Sequence, residues 1–170
     1  MSAAALFGDG ADDSGRLGRA VHRLLAGIEW WEGGDVRAWA AERRAEGEDA
    51  AAVAEAAACL EAAKLQTVFA RPAGGAEVWR ERAFEAVIDD AWVSGVFDRV
   101  VLVRGPEGVE RAAILDFKTD REVGVEELRH RHAAQLELYR RALSGLTGLA
   151  AERIVASLVA TDGCRLVPCT

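Results

Sequence analysis

With 170 residues and 51% apolar side chains, the chain holds enough material for one domain with a sizeable core. Its formal net charge of -7 argues against a self-sufficient nucleic-acid binder, in which clustered Lys and Arg neutralise phosphates. No apolar run reaches the roughly 18 residues of a membrane span, and no basic-then-apolar leader occurs, so a cytoplasmic location is expected.

Three cysteines, Cys59, Cys164 and Cys169, are odd in number and lack CxxC spacing. This excludes a disulfide framework and argues against zinc or iron–sulfur sites, leaving reduced thiols. Of the 21 basic residues only Lys64 and Lys118 are lysines, which makes each lysine unusual.

Residues 1–15 are small, polar and glycine-containing, and read as a flexible lead-in with Ser14 as a helix cap. A single domain is expected over 16–170, helical over 16–70 and α/β over 75–170. Leu17, Val21, Leu24, Leu25 and Ile28 recur at helical spacing before "EGGD" breaks the run. A second helix begins behind Asp35. The Ala-rich stretch from Glu48 to about Ala70 predicts a third, ending before Pro72.

"AEVWRERAFEAVI" and "AWVSGVFDRVVLVRG" then mix aromatic and β-branched residues with charges at alternating positions, a strand pattern. "GPEG" is a turn, and "VERAAILDFKTD" returns as the partner strand. "VEELRHRHAAQLELYRRALSG" is a periodic helix, and the chain closes in a hairpin around Asp162-Gly163.

The chemistry concentrates in "AAILDFKTD". Strand side chains alternate, so Asp116 and Lys118 share one face and Phe117 takes the other. If the hairpin turn centres on Glu107, Asp98 lies opposite Asp116; a turn centred between Pro106 and Glu107 shifts the register by one. Opposed carboxylates repel, and a divalent cation with oxygen ligands offsets the repulsion, as Mg²⁺ does when it accepts one or two carboxylates and a substrate phosphate. A lysine at 118 can shift its pKa and orient a water, which an arginine does poorly. A solvent-side ion pair is the competing reading of Asp116 and Lys118.

The motifs resemble the RecB/AddA-type nuclease domain of the PD-(D/E)XK superfamily. Gly95-x-x-Asp98-Arg99 is followed by Asp116-Phe117-Lys118-Thr119-Asp120, with Gly18-x-x-x-His22 upstream and Gln135-x-x-x-Tyr139 downstream. The likeness runs from about Leu17 to Leu143. It implies a restriction-endonuclease-like α/β core, a central mixed sheet flanked by helices, with an N-terminal helical part.

It further implies that His22, Asp98, Asp116 and the Phe117 carbonyl bind a metal, Mg²⁺ with Mn²⁺ as a substitute. Lys118 would act on the attacking water beside the catalytic Asp98 and Asp116. "WRERAFEAV" is similar to a strand bearing a Glu-x-Pro-Phe motif at Glu81, with Ala83 in place of the proline. Gln135 and Tyr139, with Arg129 and Arg131 of the basic cluster, would meet DNA. His22 also suits a core boundary, the Gln135–Tyr139 stripe suits packing, and the arginines suit a solvated helix face.

The implied activity is an exonuclease, in preference to an endonuclease, acting on DNA ends or single strands. It would serve a helicase-nuclease in recombinational repair, with the helicase module upstream or in a partner subunit. No G-x-x-x-x-G-K-[ST] stretch is present, so this chain offers no ATP site. A catalytically silent DNA-end-binding or scaffolding domain is the alternative. A free-standing nuclease serving CRISPR adaptation is disfavoured, because it would need a cysteine cluster.

Overall fold

The structure, a computed structural model, describes residues 13–169. The expected lead-in therefore falls mostly outside the described residues, but α1 (Asp13–Ala26) begins inside it, so Ser14 lies within the helix and not before it. Helix α2 (Val36–Ala45) starts as expected behind Asp35, whose Oδ1 accepts from the Arg37 and Ala38 amides at 2.9 and 3.0 Å. Asp49 caps α3 (Ala50–Glu61) in the same manner.

The single helix expected over Glu48–Ala70 is instead broken. Ala62 turns extended, a 3-10 turn covers Ala63–Leu65, and a short α4 (Gln66–Phe69) follows. Helix propensity alone favours continuation, but tertiary contacts override it. The break places Phe69 stacked on Phe117, with centroids 6.2 Å apart, and turns the Phe69 carbonyl to accept from the Trp31 amide at 2.8 Å.

Among the described residues five strands form one sheet: β1 (Gly75–Ile88), β2 (Ala91–Gly105), β3 (Gly108–Lys118), β4 (Ile154–Ala160) and β5 (Arg165–Pro168), in that spatial order. All pairs are antiparallel except β3 with β4, which are parallel and joined through α5 (Val125–Thr147). The sheet is thus mixed, with α1–α4 packed on one face around Val21, Leu25, Leu65 and Phe117. Helix α5 covers the other face with Leu128, Leu136, Tyr139 and Leu143.

The β2–β3 hairpin uses both of its possible registers. Gly105 faces Gly108 and Arg104 faces Val109 at the tip, but Val103 faces Arg111, leaving Glu110 as an extra bulge residue. From there the register runs unbroken to Arg99 opposite Leu115, so Asp98 and Asp116 are the next opposed positions.

A second irregularity sits beside the first of those aspartates. On β1, Arg80 pairs with Arg99 and Arg82 with Phe97, which leaves Glu81 opposite Asp98 with a left-handed φ of 46°. Alternation flips there in both strands: Phe97 and Val100, three apart, enter the same core, as do Trp79 and Phe84. The flip frees Asp98 and Glu81 from both cores.

Arg99 locks this kink in place. It is 1% exposed, and its guanidinium donates to the carbonyls of Val68, Ile28 and Glu29 at 3.0, 2.7 and 2.7 Å. Burial pushes it down to about 10, so it stays cationic at neutral pH. One side chain thereby ties the ends of α1 and α4 to β2.

Candidate metal and hydrolytic site

Four elements converge at the kink. Helix α1 brings His22, β1 brings Glu81, β2 brings Asp98, and the end of β3 brings Asp116, Phe117 and Lys118. Gly18 sets the approach of α1, because a Cβ there would lie 2.6 Å from Thr119 Oγ1. Glycine lets the helix come this close without displacing the Thr119 hydroxyl, and His22, one turn on, then reaches the strand ends.

His22 Nδ1 lies 3.8 Å from Asp98 Oδ2, and its ring meets Phe117 edge-on at 5.9 Å. Burial lowers the histidine below its usual range, more than the Asp116 charge raises it, so the imidazole is neutral and able to ligate. The Phe117 main chain serves two neighbours: its amide donates to Asp98 Oδ2 at 2.7 Å, and it hydrogen-bonds His22. Asp98 is pushed up to about 7, first by burial and then by the Asp116 charge.

Asp116 is 3% exposed. Its Oδ1 accepts from Gln135 Nε2 at 3.4 Å, and its Oδ2 lies 2.7 Å from Lys118 Nζ. That second contact is an ion pair without hydrogen-bond alignment, so Oδ2 is a buried oxygen with a lone pair unspent. Lys118 Nζ in turn donates to Gln135 Oε1 at 3.2 Å.

Ligand atoms of His22, Glu81 and Asp98 lie within 4.8 Å of one another, and burial raises Glu81. Neutral imidazole, several oxygen donors and an unspent buried carboxylate oxygen form a donor set that suits a hard divalent cation. The cluster repels itself without one, since the charges of Asp116 and Glu81 both disfavour ionisation of Asp98.

The structure brings His22, Asp98, Asp116, Phe117 and Lys118 together. It places Gln135 between Asp116 and Lys118, and Tyr139 in the core, 5.3 Å from both Phe84 and Phe97. Arg129 and Arg131 stand apart, engaged by Glu126 and Glu127 on their own helix. Glu81 is the residue that sequence reasoning named without placing. Its signal, strand parity reversing between Trp79 and Phe84, is visible only once two cores are known.

Gln135 and Tyr139 have neighbours that explain the spacing. Tyr139 hydrogen-bonds Gln135, so the two residues four apart form one support behind Asp116 and Lys118. His132, a turn earlier, is lowered by burial and by the Lys118 charge, and so borders the same lysine.

A mixed five-stranded sheet flanked by helices, with an Asp, an Asp-x-Lys and a histidine meeting at a strand kink, is the architecture of a restriction-endonuclease-like fold. The sequence model of the PD-(D/E)XK nuclease superfamily matches residues 5–165, and the chain belongs to that superfamily. No curated protein matches the chain. Among the described residues no helix is long and apolar enough to cross a membrane.

Proposed function

We propose that the chain is a Mg²⁺-dependent deoxyribonuclease that removes nucleotides from DNA ends, working as the nuclease part of a helicase-nuclease in cytoplasmic recombinational repair. The observation that carries the hydrolytic reading is the pairing of buried Asp116 with half-buried Lys118 beside Asp98 and His22. His22, Asp98, Asp116 and the Phe117 carbonyl would hold the cation, with Glu81 joining them. A divalent cation bound there supplies positive charge against the scissile phosphate and makes nearby water more acidic.

Each remaining step belongs to the chain. Lys118 is held between Asp116 Oδ2 and Gln135 Oε1, so its ammonium has a fixed direction from which to hold the attacking water. Gln135 spans both partners, and Tyr139 anchors Gln135 from the core. Neither residue needs to touch DNA to matter. The formal charge of -7 supports delivery of the strand by another module, since the chain offers little long-range attraction to a polyanion.

The test is degradation of linear and covalently closed circular DNA, single- and double-stranded, with Mg²⁺ or Mn²⁺. Loss of linear molecules while circles persist is expected. Cutting of circles would replace the exonuclease reading with an endonuclease, and no cleavage with either ion would refute the hydrolytic one.

A further inference from the structure

The basic cluster of α5 is less cationic than its sequence implies. Arg129 Nη1 lies 2.5 Å from Glu126 Oε1 and Arg131 pairs with Glu127; Arg140 and Arg141 are 2.9 and 2.6 Å from Glu137 and Asp89. With a carboxylate beside each cation, the cluster offers an arriving phosphate little net positive charge. The strand that this site would cut must be gripped by other cations.

Two arginines beside the site qualify. Arg82 follows the left-handed Glu81, and no carboxylate lies within 4.0 Å of it among the described residues. Glu77, whose carboxyl feels the Arg82 charge, is held by others: its Oε1 accepts from Trp79 Nε1 at 2.7 Å and its Oε2 from Arg104 at 2.6 Å. The Arg82 guanidinium instead lies 3.9 Å from the Trp79 ring centroid. A guanidinium stacked in this way has a fixed plane and keeps its in-plane N–H groups for a phosphate.

The space in front of it is suitable. An open groove of about 780 Å³ runs along the β1 edge, lined by Ala26 and Gly27 of α1 and by β1 residues that include Glu81 and Arg82. Arg80 also lines it and donates to the Ala26 and Gly27 carbonyls at 3.0 and 3.1 Å. Arg19 lies on the α1 stripe that carries His22 and Ala26, is exposed, and has no carboxylate within 4.0 Å among the described residues.

We propose that the groove between α1 and the β1 edge is the binding track for the nucleic-acid strand leading into the site, with Arg82 and Arg19 contacting its backbone phosphates. The assignment rests on the nuclease reading for its substrate, but its test does not depend on cleavage. Glu81 links the track to the site: it lines the groove, and its carboxylate belongs to the cluster with His22 and Asp98.

The experiment measures affinity of the whole chain for a fluorescent oligothymidylate in EDTA, across a salt series starting near 25 mM. Each phosphate contact on a single strand contributes about 0.7 to the slope of log affinity against log salt. Arg19→Gln with Arg82→Gln together are expected to lower the slope by about 1.4 and weaken binding at least tenfold at low salt. Arg129→Gln with Arg131→Gln should shift the slope by less than about 0.5.

Arg82→Lys separates charge from structure: it loses the planar stack but keeps the cation, and should retain most of the slope. An unchanged slope in the Arg19/Arg82 variant, a larger loss in the α5 variant, or absence of wild-type binding at the lowest salt overturns the proposal. Parallel assays with Mg²⁺ keep the two readings apart. Binding that falls as expected without any cleavage leaves the track standing and removes the nuclease; normal cleavage with an unchanged slope does the reverse.

Discussion

Replacing Asp98 with Asn isolates the electrostatic cost of the site from its packing. The wild-type carboxyl is pushed up to about 7 by burial and by Asp116, against 3.8 when unperturbed. Between those values the unfolded chain releases a proton that the folded chain keeps. Stability from this group is therefore full below about pH 4, declines as pH rises, and is wholly lost above about pH 7. At about 1.36 kcal/mol per unit, the cost to the metal-free protein grows by about 2 kcal/mol between pH 5.5 and pH 8.

Asparagine removes the charge and still offers an oxygen to the Phe117 amide, whose bond to Asp98 is 2.7 Å long. For a domain of this size 1 kcal/mol moves the melting temperature by about 2–4 °C. Thermal unfolding in EDTA, followed by circular dichroism, should show Asp98→Asn gaining about 4–8 °C on the wild type between pH 5.5 and pH 8. His22, lowered by burial, makes stability rise with pH over its own range, the opposite direction, so it does not produce the expected fall. A difference between the two that stays constant with pH would refute the reasoning.

Four further outcomes are expected. Mg²⁺ or Mn²⁺ should raise the wild-type melting temperature more at pH 8 than at pH 5.5, because the ligands must be deprotonated; Glu81→Gln should weaken the apparent ion affinity about tenfold, read by titration calorimetry. Gly95→Ala should cost about 1–3 kcal/mol in denaturant unfolding, since its Cβ would sit 2.8 Å from the Phe84 ring and 3.1 Å from Tyr139. Arg99→Lys cannot span the three carbonyls that Arg99 holds and should lose about 2–4 kcal/mol, with the helical layer loosening first in hydrogen exchange.

Element order was legible because periodicity changes from 3.6 to 2 near Ala76 and back at Val125, and Asp35 caps where its side chain predicts. The opposition of Asp98 and Asp116 was legible too, through counting from Glu107. What hid the path between them was the bulge at Glu110, which reconciles a tip centred before Glu107 with a body centred on it. A bulge depends on how two strands twist together, which neither strand encodes alone.

The break at Ala62 was hidden for a similar reason. Nothing local interrupts the Ala-rich run; the cause is Phe69 seeking Phe117, 48 positions away in the chain, and Val68 offering its carbonyl to Arg99. At the site, residue types sufficed to single out Asp98, Asp116 and Lys118. They could not show that Glu81 joins the cluster, that Gln135 bridges Asp116 and Lys118, or that Arg129 and Arg131 pair with Glu126 and Glu127. Those are facts of side-chain pairing across elements, set by packing.

The central claim, that Asp116 and Lys118 serve phosphodiester hydrolysis with a divalent ion, is tested most directly by cleavage of end-labelled linear DNA. Wild type, Asp116→Ala and Lys118→Ala are compared, each first shown to be folded by circular dichroism. The account predicts Mg²⁺- or Mn²⁺-dependent cleavage by the wild type that falls by about 10²–10⁴ in both variants. Equal cleavage by folded wild type and variants would contradict it.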